Sequence, residues 1–163
     1  MTRPPLPTAV AALCGLTLAA TLAACAAEPG AIAGPTWQVT GLYLDPRDSG
    51  DLPASVAGLA AFSFGETTIT GSTGCARVQG IVRFSKDGSD SSAQEADAVT
   101  FEQIDVEDAP ADCQGGAAHV DSALRDLLTG EYTLAQPSDA ELVLTQRSQA
   151  VDAPAIRLTT DAG

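Results

Sequence analysis

Cations, imidazoles and aromatic rings are all scarce in this chain. Eight Lys and Arg stand against 21 Asp and Glu, a formal net charge of −13 over 163 residues. A nucleic-acid surface is built from clustered Lys and Arg, so nucleic acid is excluded as a partner. Docking on anionic lipid through a basic patch is excluded for the same reason. Histidine occurs once, at position 119, and the four cysteines are Cys14, Cys25, Cys75 and Cys113. Two Cys and one His in the folded part do not make a zinc spacing. No Gly-x-Ser-x-Gly elbow, phosphate loop or dinucleotide fingerprint is present. The stretch Asp87-Gly88-Ser89-Asp90 with Glu95 and Asp97 offers oxygen ligands but lacks the EF-hand order and its closing Glu. It reads as a solvated acidic loop. No carboxylate pair is singled out by spacing. The sequence therefore nominates no catalytic residue, no metal ligand and no cofactor.

Long apolar runs are also missing. The uncharged stretch from Thr8 to Thr21, mostly Ala, Leu and Val, is too short to span a bilayer comfortably and matches the apolar region of a signal peptide. Arg3 and the free amine supply the positive region before it. Leu22-Ala23-Ala24-Cys25 follows directly and fits a lipobox at every position. Residues 1–24 are thus expected to be a lipoprotein signal peptide, with Cys25 the site of lipid attachment. The alternative is an ordinary secretory signal with an incidental cysteine. Two or three acyl chains hold a protein on a membrane far better than one, at roughly 0.8 kcal/mol per buried CH₂. Only Arg3 precedes Cys25 among the charged residues, so cleavage there leaves seven basic against 21 acidic side chains, a net −14. The expected location is the extracytoplasmic face of the cell membrane, with attachment through palmitate-type acyl groups on Cys25.

Residues 25–35 are, after Cys25, mostly Ala, Gly and Pro with one Glu, and read as a lipidated N-terminus and flexible tether. Residues 36–160 form one domain, large enough to bury a core without a metal. Five strand-like runs come first: from Thr36, Ala60–Phe64, Thr67–Thr70, from Ala76, and Ala98–Val106. Trp37 opens the first and reads as a core anchor, and Gly80 in the fourth marks a bulge or a close contact. Lys86–Asp97 reads as an exposed, mobile loop. A helix is predicted over Ala117–Leu128, with Val120, Ala123, Leu124, Leu127 and Leu128 on one face and Asp121 paired with Arg125 at i,i+4. Gly130 stops it. Three more strands follow, around Tyr132 and Leu134, Leu142 and Leu144, and Ile156 and Leu158. This order predicts an α+β fold, a curved, mainly antiparallel sheet or partly open barrel with one packed helix.

Cys75 and Cys113 have one intramolecular pairing open to them in a disulfide-permissive compartment. Closing that loop of about 38 residues contributes roughly 3–4 kcal/mol on the chain-entropy model. Two buried free thiols are the main alternative, and a nucleophilic cysteine with His119 as its base is a minor one.

These residues together resemble the META/HslJ-like domain of bacterial envelope proteins. Trp37 and Gly41 match its opening strand, and Phe62, Phe64 and Gly71 its Phe-rich strand and glycine turn. Gly74-Cys75-Ala76 with Gly80 and Phe84 is similar to its Gly-Cys-Asn signature and following strand. Cys113, Leu124, Leu127-Leu128, Tyr132, Leu142 and Leu144 match its later part. The sequence departs at Ala76, where the family has Asn, whose amide can brace the turn by hydrogen bonds that Ala cannot make. The resemblance implies a fold and an envelope or stress-related role, and no catalytic set. The expected function is a membrane-anchored, non-enzymatic binding or stress-related module acting on an envelope protein. Its alternatives are a small-ligand carrier, a protease-inhibitor module and a hydrolase. A wide apolar cavity would favour the carrier; a filled core would favour a binding surface.

Overall fold

A computed structural model describes residues 31–47 and 49–161. Nine strands and one helix follow in the order β1 (Thr36–Tyr43), β2 (Ala61–Phe64), β3 (Thr68–Ser72), β4 (Arg77–Lys86), β5 (Ser89–Asp90), β6 (Ala98–Val106), α1 (Gly115–Leu127), β7 (Gly130–Ser138), β8 (Glu141–Gln146) and β9 (Ala155–Thr159). Every pairing between strands is antiparallel. β1 pairs with β9 and β3 with β4, so the sheet closes on itself. The result is an eight-stranded up-and-down barrel in which each strand lies beside its sequence neighbours. β5 adds only a two-residue hairpin partner to β4. The expected α+β architecture, a curved, mainly antiparallel sheet or barrel with one packed helix, is the one observed, and the barrel is closed.

Alternation along the strands sends one set of side chains inward. Trp37, Val39, Phe62, Ile69, Val78, Val82, Val99, Tyr132, Leu142, Leu144, Ile156 and Leu158 are buried there. Two bulges repair the alternation where the sequence breaks it. In β1 the register shifts between Val39 and Gly41, leaving Thr40 extra, so Leu42 turns inward after Val39. In β6 the extra residue is Glu102, which switches the inward positions from Val99 and Phe101 to Ile104 and Val106. Gly80 is a close contact, not a bulge. A Cβ there would lie 2.3 Å from the Gln103 carbonyl oxygen of the neighbouring strand.

The helix falls between β6 and β7 and lies across the barrel mouth where β3 and β6 end and β4 and β7 begin. Its inward face is the predicted one: Val120, Ala123, Leu124 and Leu127 are buried, with Leu128 just beyond. Burying three leucines and a valine contributes roughly 1.5–3 kcal/mol each, an upper bound against a compact unfolded chain. The opposite mouth is closed by two segments that the sequence marks as mobile. Ile32, placed in the expected tether, is 4% exposed; its carbonyl accepts the Trp37 indole N–H at 2.9 Å, and Ala33 bridges to Phe64. The tether is therefore fixed to the barrel from Ile32 onward, because an isoleucine beside a strand end gains more by burial than by freedom. In the 86–97 loop, Ala93 is fully buried and its N–H donates to Glu66 Oε2 at 3.0 Å. A small apolar residue amid polar ones gave no periodic signal, and the loop is a packed lid rather than a free excursion.

Candidate functional site

Cys25, the expected lipid-attachment residue, lies outside the described residues. Cys75 and Cys113 form the predicted disulfide, with Cα atoms 5.7 Å apart. It ties the β3–β4 turn to the segment entering α1, and both sulfurs are committed to it.

Beside the disulfide sits a buried polar cluster. The Thr73 hydroxyl donates to Asp121 Oδ1, and both residues are buried. Arg125 Nε donates to the other carboxylate oxygen at 2.8 Å, while its remaining nitrogens reach the Val106 carbonyl at 3.4 Å and the Glu107 carbonyl at 2.6 Å. Burial pushes the Asp121 carboxyl up, but the hydrogen bonds from Arg125 and Thr73 and the guanidinium charge together outweigh it and hold the group below the ordinary carboxylate range. Thr73 Oγ1 also accepts the N–H of Ala76 at 3.0 Å. That contact answers the departure at Ala76: the turn is braced by Thr73, held in turn by the helix. At the far end of α1 the buried Tyr132 hydroxyl donates to the Leu127 carbonyl, and burial pushes the phenol up to about 12. These groups fasten the helix to the barrel.

His119 is exposed on the first turns of α1, beside a cavity of about 330 Å³ lined by Leu52, Pro53, Val56, Gly116 and Val120. No carboxylate or thiol joins it there. Among the described residues no group of three or more His, Cys, Asp and Glu is placed to hold a metal ion. No helix among them is long and apolar enough to cross a membrane.

A hollow of about 550 Å³ lies on the outer wall over β3, β4 and β6. Register lines up its residues as two rows across the strands. Thr70 faces Gln79, which faces Asp105; Thr68 faces Ile81, which faces Gln103. All six are exposed, with Ile81 at 43%. Gln79 Nε2 donates to Asp105 Oδ2 at 3.3 Å and so orients the carboxylate. Sequence reasoning passed over these positions, because an outward-facing Thr or Gln on a strand carries no signal until register brings three strands together.

No family model matches the chain, and no curated protein does. The fold is similar to a solved structure described as the NMR structure of the protein from Burkholderia xenovorans. Identity is 13%, the alignment covers 98% of this chain and 99% of that one, and the TM-score is 0.57. At that identity the likeness shows a shared fold.

Proposed function

We propose that the protein is a lipid-anchored extracytoplasmic binding module, held at the cell membrane through Cys25 and acting without catalysis of its own. The observation that supports it most is where the chain enters the barrel. Ile32 is fixed at the mouth opposite α1, only seven residues after Cys25. An extended chain spans at most about 3.3–3.6 Å per residue, so a lipid on Cys25 would keep that mouth within about 25 Å of its membrane. The helix-bearing mouth and the outer walls would then face other envelope components.

Three features favour binding over the alternatives. The barrel interior is filled by large side chains, Trp37, Tyr132, Phe62 and the leucines of β8 and β9, which argues for an outer binding surface over an internal carrier cavity. Both sulfurs of the folded part are in a disulfide, so neither serves as a nucleophile. Asp121, the buried carboxylate, is occupied by the Thr73 and Arg125 bonds that hold the helix. Membership of the META/HslJ-like family is part of the proposal. It is supported by the element order, five barrel strands, a helix and three strands, and by the Gly74-Cys75 turn bonded to Cys113.

The anchor is tested by Cys25→Ser with metabolic fatty-acid labelling and membrane fractionation. Loss of label and release of the protein are expected; unchanged labelling would end the reading. Proximity crosslinking of the native lipoprotein then asks which envelope components lie against it.

A further inference from the structure

We infer that the outer groove over β3, β4 and β6 binds a hydroxyl-rich, uncharged or amine-bearing saccharide. The inference rests on reading the domain as a binding module and names the class of its ligand.

Four properties of the groove point this way. Its size, about 550 Å³, lies within the range of about 300–1,000 Å³ of small-ligand sites. Neighbouring strands are about 4.8 Å apart and same-face residues along a strand about 6.8 Å, so the six side chains form a patch on the scale of one or two sugar rings. That patch is dense in groups that both donate and accept: two threonine hydroxyls, at Thr68 and Thr70, and two amides, at Gln79 and Gln103. Vicinal hydroxyls, each also donor and acceptor, are the complement of such a set. The Gln79–Asp105 bond fixes one carboxylate oxygen and leaves the other as an outward acceptor for a hydroxyl or an ammonium.

The apolar part is equally specific. Ile81 stands in the centre of the patch, 43% exposed, giving an aliphatic surface for the C–H face of a ring. Close approach of β4 and β6 at Gly80 sets the floor beneath it, since a Cβ there would also come 2.6 Å from Ile104 Cδ1. Charge sets the ligand's sign. The lining holds no Lys or Arg and one carboxylate, on a protein of net charge −13, so an acidic saccharide is disfavoured. Beyond the patch, Arg83 is paired with Glu102 at 2.7 Å, forming a neutralised rim on one side.

The test uses the full-length lipoprotein in a detergent without a sugar headgroup, titrated calorimetrically with the tetramer of N-acetylglucosamine and separately with its deacetylated, cationic form. Saturable binding of at least one tetramer is expected. Ile81→Ser and the double change Thr70→Val with Gln79→Ala should each weaken it about tenfold or more, the scale of one or two lost contacts. Ser55→Ala, in the β1–β2 connection beside α1 and outside the groove lining, should leave it unchanged. Far-ultraviolet circular dichroism and the intact disulfide report that each variant is folded. Absence of binding by both tetramers, or binding untouched by the groove variants, overturns the inference. Fatty-acid labelling and neighbours found by crosslinking are read independently, so failure here is distinguishable from failure of the anchored-module reading.

Discussion

Thr73 and Asp121 lie 48 residues apart and meet in a buried hydrogen bond between the β3–β4 turn and helix α1. The bond completes a short circuit of support. Asp121 holds Thr73, Thr73 holds the Ala76 N–H, and Arg125 links the same carboxylate to the end of β6. Thr73→Val should therefore destabilise by about 1–3 kcal/mol, because it leaves a buried carboxylate oxygen and a backbone N–H without their partner. Denaturant unfolding of Thr73→Val, Asp121→Asn and the double variant should give a coupling energy clearly different from zero. Additive losses would mean that the two side chains act separately.

The same carboxylate gives a pH signature. Its pKa is lower in the folded state than the ordinary value of 3.8, so its contribution is fully present above that value and is lost as pH falls through the lower folded pKa. Stability measured against pH should show wild type and Asp121→Asn converging in acid, below about pH 4. Parallel curves there would contradict the assignment.

Tyr132 carries the opposite dependence at the alkaline end. Its phenol is raised from 10.0 to about 12, so the neutral form is favoured by folding. The contribution is complete below pH 10 and is lost between about 10 and 12, roughly 2–3 kcal/mol in all. In a Tyr43→Phe background the phenolate absorbance belongs to Tyr132 alone, and it should rise only near pH 12 or on unfolding.

Removing the disulfide with Cys75→Ser and Cys113→Ser should cost roughly 3–4 kcal/mol, as expected for a closed loop of 38 residues. Non-reducing mass analysis of the wild type should give one Cys75–Cys113 peptide. Two alkylatable thiols would remove the covalent link between turn and helix.

Leu124, fully buried on the inward face of α1, should cost about 2–5 kcal/mol on change to Ala. Thermal or denaturant unfolding measures it directly, and a change near zero would place the helix in another register.

Much of this architecture is legible in the sequence where burial repeats. The eight barrel strands and the apolar face of α1 follow from alternation and from three- and four-residue spacing. The misreadings share a physical cause: single residues decided by tertiary contact. Thr40 and Glu102 shift register without any turn residue to announce it. Ile32 and Ala93 are buried alone in polar or small-residue stretches. Asp121 looks like half of a surface pair with Arg125, worth a few tenths of a kcal/mol. It is instead a buried acceptor shared with a threonine from a distant turn. The groove was invisible for a related reason, since its rows exist only across three strands.

Closure of β3 onto β4 has a further effect at high density. Proteins tethered in a membrane are concentrated in two dimensions, where an unpaired strand edge invites copy-to-copy sheet extension. Here every barrel strand spends its ladder on two neighbours within the same chain. The outer side of β5 is an exception, two residues long and carrying Asp90. A surface crowded with this barrel would therefore resist edge-to-edge aggregation by topology as well as by its charge.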